Sequence, residues 1–183
     1  MTKTAIFDAL GTVVRIGRRT NPYRQLLREG IKQGRRSYPS DAHVIMTLNL
    51  KLHELAEHVG VLLSESRRVE TECALQAELK SIEAYPDAIE AVARLREPGV
   101  ALGISCNPAK PYGAAVEQLF PSINTQAFSF EIGAAKPDPR IYQALLERLD
   151  PRSGRPVRAD APEVWIVGTK RGVIGMVPEP VRW

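Results

Sequence analysis

The sequence predicts an α/β protein in which helices cover a parallel β-sheet and a helical subdomain is inserted after the first strand. In the second half of the chain, short apolar runs alternate with amphipathic helical segments, which is typical of right-handed βαβ crossovers. Between the first apolar run and that half, helix-forming residues dominate. A chain of 183 residues with 44% hydrophobic and 25% charged residues suits one globular domain that carries an insertion.

The first predicted strand is the apolar run TAIF at residues 4–7. The run ends at Asp8, and Gly11 with Thr12 supplies a turn shortly after it. We interpret these residues as a buried strand followed by a loop.

Residues 21–83 are expected to form several helices and no strand. They contain few glycines and three segments rich in helix-forming residues, YRQLLREGIKQG, HVIMTLNLKLHELAEHV and SRRVETECALQAELKSIEA. This pattern places a helical insertion at residues 15–83, between the two parts of an α/β core at residues 1–14 and 84–183.

The rest of the chain alternates between helix and strand patterns. The first helix pattern, YPDAIEAVARLRE, begins at Pro86 and spaces Ile89 and Val92 for one buried face. The elements predicted after it are a strand at VALGIS (100–105), a helix at PYGAAVEQLF (111–120), a short strand at AFSFEI (127–132), a helix at PDPRIYQALLERL (137–149) and a strand at VWIVG (164–168).

The composition excludes several classes of protein. No stretch approaches the ~20 continuous apolar residues of a membrane span, and the N-terminus MTKTAIFD lacks the pattern of a signal peptide. Cys73 and Cys106 lie in unrelated contexts, so they supply neither a metal cluster nor a disulfide framework. We therefore expect a cytoplasmic protein without a membrane partner.

Basic residues concentrate in residues 15–36, although the net charge of the whole chain is only +4. This segment has one acid, Glu29, and only Tyr23 and the nearby Tyr38 interleave aromatic rings with the charges. A solvated basic helix face is the commonest reason for such a run, and an anion-recognition face or a nucleic-acid patch are the alternatives. A nucleic-acid partner is not expected. The basic residues are Arg15, Arg18, Arg19, Arg24, Arg28, Lys32, Arg35 and Arg36.

Polar residues follow each predicted strand. Asp8 follows the first strand, and residues 105–107 (Ser, Cys and Asn) follow the second. Lys136 lies in the loop after the third apolar run, and Thr169 follows the last. Because ligands of open α/β sheets bind at the carboxyl ends of the strands, these residues predict a site for a small anionic substrate.

Four segments occur in the order and spacing of the four motifs of the haloacid dehalogenase-like (HAD) hydrolase superfamily, which the chain therefore resembles. They are FDALGT (7–12), GISCNPAKPYG (103–113), FSFEIGAAKPDPRIYQ (128–143) and VWIVGT (164–169). The resemblance implies a Rossmann-like core and a helical cap between the first and second motifs. It also implies a phosphatase or dehalogenase type of activity.

The resemblance assigns roles to individual residues. Asp8 matches the nucleophile, which forms an aspartyl-phosphate or aspartyl-ester intermediate. Lys136 matches the lysine that neutralises this aspartate and the substrate anion. Cys106 stands where a serine or threonine hydroxyl usually binds the anion, and a thiol is a weaker donor. The residues implied to bind substrate are Thr12, Ser105, Cys106 and Asn107.

Two positions depart from the phosphatase pattern. Leu10 replaces the aspartate that serves as general acid and base, and Thr169 replaces the fourth-motif acid that holds Mg²⁺. After Thr169 the first carboxylate is Glu179. Only Asp8 and the backbone carbonyl of Leu10 then match the family's metal ligands, so we expect weak Mg²⁺ binding.

The resemblance thus predicts a HAD-like hydrolase in which Asp8 attacks a small phosphate ester or a haloacid with weak activity. Leu10 resembles the dehalogenase members, whose fourth motif the chain does not reproduce. The tail MVPEPVRW also diverges from the β/α step that relatives add. The alternative is a catalytically inactive HAD-like protein that binds a small anion or a protein partner.

Overall fold

The computed structural model describes residues 3–96, 100–123, 125–149 and 164–168. In chain order its elements are β1 (Thr4–Phe7), β2 (Val14–Ile16), α1 (Pro22–Lys32), α2 (Asp41–Thr47), α3 (Leu52–His58), α4 (Glu65–Leu79), β3 (Ile82–Ala84), α5 (Pro86–Arg96), β4 (Ala101–Cys106), α6 (Lys110–Leu119), β5 (Gln126–Phe128), α7 (Ser129–Ile132), α8 (Pro139–Leu149) and β6 (Val164–Val167).

The main sheet is parallel, which confirms the predicted fold class. Its four strands lie in the order β5-β4-β1-β6, so β1 is central. All residues of β1 are buried, as expected for a strand covered on both faces. Phe7 pairs with Ile104 on one side and Val167 on the other, so these three strands end at the same edge.

Helices pack against the sheet through their apolar faces. In α8, Ile141 and Leu145 are fully buried against β1, β5 and β6. A Cβ added at Gly103 of β4 would lie 3.1 Å from the Leu145 side chain, so the glycine allows the helix to approach the strand closely. In α5, Val92 is buried as predicted, but Ile89 is 54% exposed, so the buried face of that helix is narrower than its sequence indicates.

The helical insertion begins and ends with a short antiparallel ribbon. β2 pairs with β3, and α1 to α4 lie between them. The expectation that residues 21–83 contain no strand is therefore wrong at its end, where Ile82–Ala84 form β3. A strand of three residues is too short for an alternating pattern to distinguish it from the end of a helix.

The predicted strand at residues 127–132 is half correct. Gln126–Phe128 form β5, but the chain then turns into the short helix α7, which ends at Gly133 in the left-handed conformation (φ 70°). The rings of Phe128 and Phe130 stack with their centroids 5.5 Å apart. Phe128 and Phe130 thus lie in one core cluster without belonging to one strand.

Candidate active site

The carboxyl edge of the sheet brings Asp8 and Lys136 into contact. The backbone N–H of Asp8 donates to the Val167 carbonyl at 2.8 Å, which extends the β1–β6 pairing by one residue. Lys136 Nζ lies 2.5 Å from Asp8 Oδ1. The side chains of Asp8 and Lys136 are 25% and 20% exposed, respectively, so the ion pair is shielded from water yet reachable by a small ligand.

Lys136 is held at several atoms. Its ammonium donates to the Ser105 carbonyl at 2.8 Å as well as to Asp8. The Asn107 carboxamide accepts from the Lys136 backbone N–H at 2.8 Å and donates to the Lys136 carbonyl at 3.1 Å. Asn107 therefore fixes the loop that carries the lysine, and the lysine in turn fixes the carboxylate.

Thr12 approaches the second oxygen of the same carboxylate. Its hydroxyl donates to Asp8 Oδ2 at 3.4 Å. The turn that presents Thr12 is closed by bonds from the N–H groups of Thr12 and Val13 to the Ala9 carbonyl at 3.0 and 2.9 Å. Gly11, in the left-handed region at φ 87°, makes this tight turn possible. Both oxygens of Asp8 thus have a donor, but the bond to Oδ2 is long.

Cys106 and Ser105 lie on opposite faces of β4, as successive residues of a strand do. The Cys106 thiol is the one near Asp8, and it also lies beside the backbone N–H groups of Leu10 and Ala9. Burial, and secondarily the negative charge of Asp8, raises the pKa of this thiol, which therefore stays protonated at neutral pH. The buried Ser105 hydroxyl has no hydrogen-bond partner among the described residues.

Of the residues singled out in the sequence, Asp8, Thr12, Cys106, Asn107 and Lys136 therefore meet at one edge. The backbone carbonyl of Ser105 belongs to the same group. Thr169 lies outside the described residues.

Tyr142 is a neighbour of the site that the sequence did not single out. It lies in α8, three residues after Pro139, and burial followed by the charge of Asp8 raises the pKa of its phenol. The sequence position of Tyr142 could have indicated this, because α8 follows the loop that carries Lys136. The first residues of such a helix lie at the carboxyl edge of the sheet, near Asp8.

The donor set suits a divalent cation poorly. Among the described residues, no group of three His, Cys, Asp or Glu side chains could hold a metal ion. Asp138 lies in the Lys136 loop but pairs with Arg140 at 2.8 Å. Asp8 is the one described carboxylate that the resemblance matches to a metal ligand, and Lys136 pairs with its Oδ1. Among the described residues, the ligands implied by the resemblance that Lys136 leaves free for a cation are Asp8 Oδ2 and the Leu10 carbonyl.

The motifs and their geometry agree with a match to a family model. The model of the haloacid dehalogenase-like hydrolases matches residues 2–168. The chain belongs to this family. No curated protein sequence matches it.

Solved structures share this HAD-like fold. A putative beta-phosphoglucomutase from Thermotoga maritima is 18% identical, with a TM-score of 0.54 over 90% of this chain and 75% of that one. A HAD family enzyme from Bacteroides thetaiotaomicron is 16% identical, with a TM-score of 0.57 over 90% of this chain and 83% of that one. The latter enzyme has also been solved in complex with magnesium and inorganic phosphate (15% identity, TM-score 0.55, 91% and 84% coverage).

Proposed function

We propose that this HAD-like hydrolase uses Asp8 as a nucleophile on a small anionic substrate, a phosphate ester or a haloacid. The observation that carries the proposal is the Lys136–Asp8 ion pair at the carboxyl edge of the sheet. The ammonium neutralises the carboxylate, so a second anion can approach without facing a net negative charge.

The proposed reaction has two steps. Asp8 Oδ2, whose donor is the more distant one, attacks the phosphorus or the halogen-bearing carbon, while Lys136 holds Oδ1. The bond to the leaving group breaks, and its electron pair leaves with the alkoxide or halide. Water then hydrolyses the aspartyl intermediate, which releases phosphate or hydroxyacid and regenerates the carboxylate.

Weak activity is part of the proposal. Leu10 is a half-buried apolar side chain that packs against the core, so it cannot protonate a leaving group. General acid assistance is typically worth about 10² to 10⁴ in rate. Esters whose leaving group is an unstable anion should therefore react slowly. Mg²⁺ should bind weakly, because Asp8 is the one carboxylate that matches the family's metal ligands.

A catalytically inactive protein that binds a small anion is the alternative function. It is favoured by the same apolar Leu10 and by the thiol of Cys106 in place of a hydroxyl. It would use the same Lys136 charge to hold the anion without transferring any group.

We further propose that the insertion, residues 15–83, acts as a cap over this edge. Lys110 at the start of α6 donates to the Asn49 carbonyl at 3.3 Å, and Ser129 at the start of α7 donates to the Met46 carbonyl at 2.6 Å. Both helices start near the carboxyl ends of strands. In the described ranges no helix combines the length and hydropathy needed to cross a bilayer.

The test is a panel of phosphate esters and haloacids, with and without Mg²⁺, monitored for release of phosphate and halide. We expect slow turnover of at least one class and its loss in Asp8→Asn, because an amide is not a nucleophile of this kind. Micromolar affinity for phosphate without any turnover would support the binding protein. Turnover that survives Asp8→Asn would refute the proposed nucleophile.

A further inference from the structure

A cleft outside the Asp8 site separates the helical insertion from the core. It is an open cleft lined by residues from the start of α3, from α4 and from α6, and it has a volume of about 810 Å³. That is within the range of about 300 to 1,000 Å³ that small-molecule sites occupy. The residues that line it include neither Asp8 nor Lys136 nor Asn107.

The inner surface of the cleft is apolar. Leu52 and Leu75, each 2% exposed, form its floor, and Pro111 and Ala114 of α6 form one wall. Val69 on the opposite wall is 53% exposed, which is unusual for a valine that has a core to pack into. This lining suits an aliphatic or aromatic group.

Among the charged residues that line the cleft, the three cations Lys51, Arg68 and Lys110 outnumber the two acids Glu65 and Glu72. Of the acids that line the cleft, Glu65 pairs with Arg68 at 3.0 Å and Glu72 accepts from Gln76 at 3.0 Å. None of the ion pairs among the described residues involves Lys51 or Lys110. Lys110 donates one hydrogen bond, to the Asn49 carbonyl at 3.3 Å. Glu54 lies near both lysines but does not line the cleft. Each ammonium therefore keeps N–H donors that an incoming anion can accept from.

We propose that this cleft binds a small amphipathic anion, an organic acid with an apolar body and one carboxylate or sulfonate. The body would lie between Val69 and Ala114, above the buried Leu52 and Leu75, and the acid group would meet Lys51 and Lys110. Because these residues come from the insertion and from α6 of the core, a bound ligand stabilises their contact. The site is separate from the Asp8 chemistry and does not depend on it.

The test uses two probes on the full chain, anilinonaphthalene sulfonate for fluorescence titration and octanoate as its competitor. We expect saturable binding of one dye per chain that octanoate displaces. Lys51→Gln and Lys110→Gln should each weaken dye binding by roughly five- to tenfold, since each removes one charge-assisted contact. Ala114→Trp, at an exposed position, should abolish binding by filling the cleft.

Cys73 gives an independent readout, because it lines the cleft and is exposed whereas Cys106 is buried. Octanoate should slow the alkylation of Cys73 by iodoacetamide, which is measured by mass spectrometry of the intact protein. Lys32→Gln, at an exposed position of α1 that does not line the cleft, is the charge control, and Asp8→Asn controls for binding in the active site. Both should bind dye as the wild type does, and Lys32→Gln should also keep the melting temperature of the wild type.

Three results would overturn the proposal. The first is that folded Lys51→Gln, Lys110→Gln and Ala114→Trp variants all bind dye as tightly as the wild type. The second is that Asp8→Asn loses dye binding, and the third is that saturating octanoate leaves the rate of Cys73 alkylation unchanged.

Discussion

Cys106 places a weak hydrogen-bond donor beside the proposed nucleophile and next to the backbone amides of Ala9 and Leu10. A serine there is nearly isosteric and donates a stronger hydrogen bond to an anion. We expect Cys106→Ser to lower the inhibition constant of inorganic phosphate several-fold, which corresponds to about 1 kcal/mol of binding free energy. Cys73→Ser, at the exposed cysteine, is the matched control and should change nothing. An unchanged constant in Cys106→Ser would mean that the thiol does not face the anion.

By the resemblance of the motifs, Leu10 and Thr169 are expected to occupy positions where phosphatases of the family carry acids. If the site otherwise functions, Leu10→Asp combined with Thr169→Asp restores a general acid and a metal ligand together. We expect Mg²⁺-dependent phosphatase activity to rise by about 10² to 10⁴. The two changes should act non-additively, since both stabilise one transition state. A correctly folded double variant without any gain would favour the anion-binding protein.

At the scale of the elements, Glu78 of α4 joins the insertion to the core. Its Oε2 accepts from the backbone N–H groups of Thr20 and Asn21, both at 2.7 Å, and from the Thr20 hydroxyl at 2.9 Å. Its Oε1 accepts from the Tyr112 hydroxyl of α6 at 3.0 Å. The residue is 5% exposed, so these donors replace the water that a carboxylate would otherwise hold.

We expect Glu78→Ala to lower the free energy of unfolding by about 3 kcal/mol. The change leaves the buried donors of Thr20, Asn21 and Tyr112 without an acceptor and creates a cavity. Urea unfolding monitored by circular dichroism measures the change. Glu70→Ala, in the same helix with a 58% exposed side chain, should cost less than about 1 kcal/mol. Equal losses in the two variants would show that Glu78 does not join the insertion to the core.

The sequence predicted the long elements well because their periodicity is strong. The strands at β1, β4 and β6 and the helices α5, α6 and α8 all lie where apolar spacing placed them. The ribbon of β2 and β3 was missed because each strand has three residues and its partner is distant in sequence. Helix α7 was missed because its apolar alternation resembles a strand, although Gly133 was a stop signal for a helix.

At the scale of the whole molecule, the convergence of Asp8, Asn107 and Lys136 was predictable from topology, since parallel strands end at one edge. Their detailed contacts were not. The carboxamide of Asn107 holds the backbone of Lys136 only after two loops have folded against each other, and no spacing in the sequence encodes that contact.

The buried tyrosines make the stability of the whole fold sensitive to high pH. Burial raises the pKa of the Tyr23 and Tyr112 phenols above the ordinary value of 10.0. The negative charge of Glu72 adds to this effect at Tyr23, and that of Glu78 adds to it at Tyr112. Each phenol has a higher pKa in the folded protein than in the unfolded chain. The fold therefore keeps its full stability below the pKa of the unfolded chain and loses stability as the pH rises from that value toward the pKa in the folded protein. We expect the free energy of unfolding to fall above about pH 10.

Urea midpoints between neutral pH and pH 11 measure this loss, and Tyr23→Phe should make the fall shallower. Tyr38→Phe, at a 54% exposed ring, is the control. Identical slopes in the two variants would contradict the role assigned to burial.

The central claim, that Asp8 forms a covalent intermediate, is tested most directly by acid-quenching the enzyme during turnover of an aryl phosphate or a haloacid. Mass spectrometry of the peptide that contains residues 4–12 then detects any adduct. We predict a phosphoryl or alkyl group on Asp8 that forms within one turnover, decays as product appears and is absent in Asp8→Asn. Turnover with no adduct on this peptide, retained in Asp8→Asn, would contradict the account.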